Sequence, residues 1–181
     1  MEESAFHRVV ERSQSLVNKI LNNIPEAHKF CVSSKSLTLH PSSESKKLQY
    51  MESSLGIPRA PTLKGLSAEF TLEMCLNRIS EGLQMYQDLL GALCDRVSTP
   101  KKLEELQDDI RDLLVQITQM YELGQFEARV RYEGSGLASR LTGDFEVQVA
   151  AHLSLVQLQD FAQDIFRSLR NMAQTKPGLS G

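Results

Sequence analysis

Val97-Ser98-Thr99, closed by Pro100, is all that separates two long segments of helical periodicity. A link this short joins only neighbours that run antiparallel. The other connections are far longer: one runs from about Phe30 to Leu66, the other from Gln125 to Gly143. Each is long enough to climb back along a helix and restart in parallel. The order long, short, long therefore predicts an all-α, long-chain four-helix bundle that runs up, up, down, down, with two long crossover connections, in one domain over residues 1–181.

The four helices are expected over residues 3–23, 67–95, 100–123 and 143–173. In the first, Phe6, Val9, Val10, Leu16, Val17, Ile20 and Ile24 recur at steps of three and four, and Pro25 is expected to stop it. In the second, Leu72, Leu76, Ile79, Leu83, Tyr86, Leu90 and Leu93 form a narrow seam of coiled-coil spacing, with Ser67 as the expected N-cap. Thr99 should cap the third, with Pro100 at its first position, Leu103, Leu106, Ile110, Leu113, Ile117 and Met120 inward, and Gly124 as a left-handed end. The last buries Val147, Ala151, Leu155, Leu158, Phe161, Ile165, Leu169 and Met172 and ends before Pro177. At about 1.5 Å per residue, segments of this length favour a long bundle over a cluster of short helices. Of the crossovers, Ser33 to Ser54 is rich in Ser and Lys and expected to be mobile, Leu55 to Pro61 should lie against the bundle, and Gln125 to Gly143 should be a loose strap.

Composition narrows the function. With 41% hydrophobic residues, no Trp and a formal charge of -3, the chain has enough apolar content for a globular core. Lys and Arg are scattered and outnumbered by Asp and Glu, so no basic stripe is available for nucleic acid, and none is expected as a partner. No apolar run approaches the roughly 20 residues that span a bilayer, so no membrane insertion is expected. Met1-Glu2-Glu3 lacks the positive start and apolar stretch of a signal peptide, which leaves a cytosolic protein or a mature secreted chain given a new Met. Cys31, Cys75 and Cys94 leave at least one thiol unpaired, which by itself leans towards a reducing compartment, and no Asn-x-Ser/Thr sequon is present.

Catalytic patterns are missing from the sequence. His7, His28, His40 and His152 are spread along the chain, and none follows a Glu at the spacing of a di-iron bundle. There is no zinc-peptidase motif and no P-loop, and Gly134-Ser135-Gly136 lacks the spacing of a nucleophile elbow. The expectation is no enzyme, no cofactor and no metal site, with each His a surface or packing residue.

One charged pattern asks for a function. Glu105, Asp109 and Asp112 fall at i, i+4 and i+7 on the third helix, with Glu104 and Asp108 beside them. Like charges so placed repel by a few tenths of a kcal/mol per pair. The helix dipole compensates Glu104 and Glu105 near the N-terminus more than it does Asp109 and Asp112. The stripe is either a solvated face or a docking surface for a basic partner. Phe145 places an aromatic ring at the start of the last helix, as a cap on the core or as an exposed anchor.

Leu55-Gly56-Ile57-Pro58-Arg59-Ala60-Pro61, then Cys75-Leu76, then Gly82-Leu83-Gln84-Met85-Tyr86-Gln87-Asp88-Leu89-Leu90-Gly91-Ala92-Leu93 closely resemble the granulocyte colony-stimulating factor family. So does Phe166-Arg167-Ser168-Leu169-Arg170-Asn171-Met172-Ala173-Gln174, and the likeness covers nearly the whole chain. The resemblance implies a secreted, extracellular long-chain helical cytokine of the interleukin-six class. Its implied partner is a class I cytokine receptor ectodomain, with two receptor copies in the signalling complex and a monomeric free protein. One surface on the first and third helices would engage the receptor's cytokine-binding module, and one near the start of the last helix would engage an immunoglobulin-like domain of a second copy. The implied outcome is growth of the granulocyte lineage.

Carried over by position, Asp109 and Asp112 match the two acidic positions of the major surface, Glu105 extends their stripe, and Arg12 matches the basic position on the first helix. The adjoining acidic position is Ser15, with Glu11 one turn away. On the second surface Phe145 matches the aromatic, and the acidic loop position falls near Lys47, with Glu44 close by. The resemblance also implies that both family disulfides are broken: Cys75 lacks its partner because Gly65 stands there, and the partner region of Cys31 reads Lys35 to Leu39. An intracellular helical scaffold or adaptor is the competing reading. On the cytokine reading, Asp109→Arg with Asp112→Arg is expected to abolish receptor binding without changing helicity or melting.

Overall fold

The apolar stripe of the first helix does not stop at Pro25. In the computed structural model, which describes residues 3–32, 46–127, 132 and 134–174, helix α1 runs Glu3–Cys31 with Pro25 inside it. Pro25 deprives the Leu21 carbonyl of its usual donor, a defect of about 3 kcal/mol in a helix interior. Burial outweighs it: Ile24, Ala27, His28, Cys31 and Val32 continue the inward stripe, and all are buried. Tertiary packing thus carries the helix two turns past the expected stop.

Among the described residues four further helices follow: α2 (Lys46–Leu55), α3 (Leu72–Cys94), α4 (Lys101–Gly124) and α5 (Asp144–Gln174), with a 3-10 turn at Leu137–Arg140. Helix α2 lies in the crossover expected to be mobile; residues 33–45 of that crossover lie outside the described residues. The cap of α3 is Thr71 rather than Ser67: Thr71 Oγ1 accepts from the Met74 amide at 3.3 Å. Ser67 Oγ instead accepts from the amides of Glu69 and Phe70, closing a turn one step earlier. Helix α4 begins after Pro100, which has no side-chain cap bond, so Thr99 does not serve as its cap. At its other end Gln125, not Gly124, takes the left-handed conformation, with φ 56°. Gly124 instead leaves room for the Phe126 ring, which folds back over the helix end: a Cβ there would stand 2.4 Å from it, so the ring would have to shift.

Helices α1 and α3 each pack against both α4 and α5. His7 near the start of α1 reaches the Ala173 carbonyl near the end of α5, whereas His28 near the end of α1 meets His152 near the start of α5, so these two helices are antiparallel. Lys102 in the first turn of α4 pairs with Glu26 late in α1, which sets α4 antiparallel to α1 as well. Gln107 of α4 donates to the Gln87 carbonyl of α3, and Tyr121 further along α4 reaches Asn77 earlier in α3. The two first long helices therefore point one way and the two last the other, and the up-up-down-down order follows from these contacts.

Every apolar residue expected to face inward is buried, except Leu16, which is partly buried against the core. At mid-bundle Gly82 lets the Phe161 ring lie directly on α3: a Cβ on Gly82 would stand 2.3 Å from Phe161 Cζ. Tyr86 completes that layer, its ring centroid 5.7 Å from that of Phe161. Leu55 and Ile57 are buried, as expected for the proline-rich strap. The second crossover is not loose where it is described. Leu137 and Leu141 are buried, and Asp88 of α3 accepts from Tyr132 Oη, the Ser135 amide and Ser135 Oγ at 3.0–3.2 Å.

Candidate receptor-docking surface

The seam between α1 and α4 gathers most of the singled-out residues because the two helices are antiparallel and adjacent. Glu11, Arg12 and Ser15 are exposed on α1, and Asp112 is exposed on α4. Glu105 is half-buried beside Lys102, whose ammonium bridges it at 3.5 Å and Glu26 of α1 at 2.9 Å. Both carboxylates raise the Lys102 pKa, the Glu26 hydrogen bond most of all. Asp108 is exposed and paired with Arg111 on its own helix.

Asp109 departs from the expected exposed stripe. It is only 3% exposed. Its Oδ1 lies 3.0 Å from Lys19 Nζ, and its Oδ2 accepts from Asn23 Nδ2 at 3.3 Å, so α1 occupies both oxygens. The hydrogen bond that Lys19 donates to Asp109 raises the Lys19 pKa, and Asp112 and Glu105 add to it by charge. The stripe of three acids is therefore interrupted by a lysine, and a buried Asp109 makes Asp109→Arg a folding defect as well as a surface change.

Lys19, Asn23 and Glu26 were not singled out from the sequence. A signal for them exists: Arg12, Ser15, Lys19, Asn23 and Glu26 recur at steps of three and four on one polar face of α1. What the sequence lacks is the register that brings Lys19 opposite Asp109. Towards the other end of the seam Arg12 lines an open cleft with Arg8 and Val9 of α1 and Gln119, Glu122 and Leu123 of α4.

Of the residues expected on a second surface, Phe145 is 46% exposed in the first turn of α5. Lys47 falls in the first turn of α2, with its side chain outside the described residues, and Glu44 lies outside them altogether. His28 and His152, each read singly as a surface or packing residue, are buried against each other; His40 lies outside the described residues. Cys31, Cys75 and Cys94 are all free, and burial pushes each thiol up to about 11. Among the described residues no helix is long and apolar enough to cross a membrane.

Comparison with known proteins identifies relatives of this chain. The profile of the family described as granulocyte colony-stimulating factor matches residues 16–170. Granulocyte colony-stimulating factor from Bos taurus is 33% identical over 150 residues, covering 82% of this chain and 70% of the bovine protein. The Homo sapiens protein of that name is 34% identical over 132 residues, 71% of this chain and 62% of its own length. Myelomonocytic growth factor from Gallus gallus is 29% identical over 131 residues, 71% of this chain and 65% of its own length.

Proposed function

The chain belongs to the granulocyte colony-stimulating factor family, a family of growth factors rather than enzymes, and from that membership we propose that it is a secreted cytokine that brings two receptor chains together. The seam of α1 and α4 serves as the major docking surface. Asp112, Glu11, Arg12 and Ser15 offer it exposed polar side chains of both signs, which suits a charged receptor module and favours steering and specificity over bulk apolar burial. Phe145 anchors a second contact at the start of α5 with a second receptor copy. Engaging two surfaces at once multiplies binding through effective concentration and drives granulocyte-lineage growth.

The observation that carries this reading is the charge pattern of the α1–α4 seam in a chain of this family. The test is titration against the soluble ectodomain of a granulocyte colony-stimulating factor receptor. Asp112→Arg is the variant to compare, because Asp112 is exposed and its replacement spares the core. The reading predicts binding by wild type and at least about tenfold weaker binding by the variant, with unchanged melting. Wild-type binding without an effect at Asp112 would move the major surface elsewhere, and no binding by wild type would favour the intracellular scaffold, a reading to which the three free thiols lend some support.

A further inference from the structure

Asp109 sits in the middle of the proposed docking seam, yet it has almost nothing to offer a partner. It is 3% exposed, and its two oxygens are taken by Lys19 and Asn23 of the neighbouring helix. The side chain that does reach outward at this place is Lys19, 61% exposed. A lysine on a surface samples many rotamers, and ordering it on binding opposes association. Here one face of the ammonium is already tied to a buried carboxylate, so the stem is held before any partner arrives.

The surroundings make that held cation matter. Asp112 lies exposed on the same face of α4, and Glu105 is drawn aside by Lys102. An approaching protein meets a fixed positive charge at Lys19 beside a negative one at Asp112, rather than a continuous acidic stripe. The complementary surface must then carry both signs in a set order, and a uniformly basic partner is disfavoured by Lys19.

We propose that Asp109 is a positioning residue of the receptor-docking seam, acting through Lys19 and not by touching the receptor. This rests on the reading of the α1–α4 seam as the major docking surface. The deciding experiment is a double-mutant cycle in receptor-ectodomain affinity over wild type, Asp109→Ala, Lys19→Ala and the double variant, with Asp109→Asn as the conservative replacement and melting recorded for all. Asn keeps an acceptor for Lys19 while losing the charge.

The expected result is that Asp109→Ala weakens binding about tenfold when Lys19 is present but less than about twofold when Lys19 is already Ala. Asp109→Asn should recover most of that loss. An equal loss in both backgrounds, with Asn as poor as Ala, would show that Asp109 contacts the receptor and would overturn the proposal. Should Asp109→Ala fail to fold, Asp109→Leu, close in size to Asp and without an acceptor for Lys19, replaces it in the cycle and decides by the same criterion. Failure of wild type to bind would overturn the docking reading itself, whereas binding with an additive cycle would overturn only the role given to Asp109.

Discussion

His28 Nε2 and His152 Nδ1 stand 3.0 Å apart where the end of α1 passes the start of α5, and both rings are buried. A hydrogen bond between two imidazoles needs one donor and one acceptor, so protonating both rings removes the acceptor and sets two cations face to face. Burial lowers the His28 pKa to about 4, with the neighbouring His152 adding to it, and burial lowers that of His152.

The sign of the pH dependence follows. The unfolded chain takes up protons near the model-peptide value of about 6.5 while the folded pair stays neutral, so acid favours unfolding. The stabilisation is fully present above about pH 6.5 and declines as pH falls towards the folded value of His28, about 4. Melting followed by circular dichroism should therefore drop between pH 7 and pH 4.5, and His28→Leu should flatten that drop. An equally steep drop in His28→Leu would show that other groups control acid stability.

Gly82 is a packing requirement of the core. With Phe161 Cζ 2.3 Å from where a Cβ would stand, Gly82→Ala must push the ring or separate α3 from α5. Overpacking of this kind destabilises by about 1–3 kcal/mol, more than the gain of about 1 kcal/mol in helix propensity on replacing Gly by Ala. Chemical denaturation should show a lower midpoint for Gly82→Ala; a raised midpoint would mean that Phe161 has room to move.

Asp88 ties the second crossover to α3 through one oxygen that accepts from Tyr132 Oη and twice from Ser135. Exposed hydrogen bonds contribute about 1 kcal/mol or less to global stability, but they can decide local opening. Asp88→Ala should speed amide exchange at Ser135 and Leu137 while changing the melting temperature by less than about 4 °C. Unchanged exchange would assign the anchoring to the buried Leu137 and Leu141 instead.

Much of this fold is legible in the sequence. The inward residues of α3, α4 and α5 were legible because each stripe is long and uninterrupted, and the topology was legible because connection lengths restrict it. Helix ends were read less well, since caps depend on which hydroxyl wins a given amide: Thr71 took the place expected for Ser67. Pro25 misled because the penalty of a proline is local, while the burial of Cys31 and Val32 that offsets it is tertiary. The site divides in the same way. Asp112 is on the surface as its spacing suggests, and so are Glu11 and Arg12, which the family resemblance marks, but the enclosure of Asp109 depends on the register between α1 and α4, which no single helix encodes.

Phe145 provides a separable test of the second contact. The residue is 46% exposed, so Phe145→Ala should leave melting nearly unchanged. In the proposed two-surface arrangement it leaves the first receptor bound and weakens recruitment of the second, so complexes at saturation should approach one receptor per chain. Recruitment of the second receptor at wild-type affinity would remove Phe145 from that contact.

Joining of two receptors is read most directly as mass, by light scattering of the purified chain saturated with soluble receptor ectodomain. A complex containing two receptor ectodomains is expected. A saturated complex with a single receptor, or no complex at all, would contradict it.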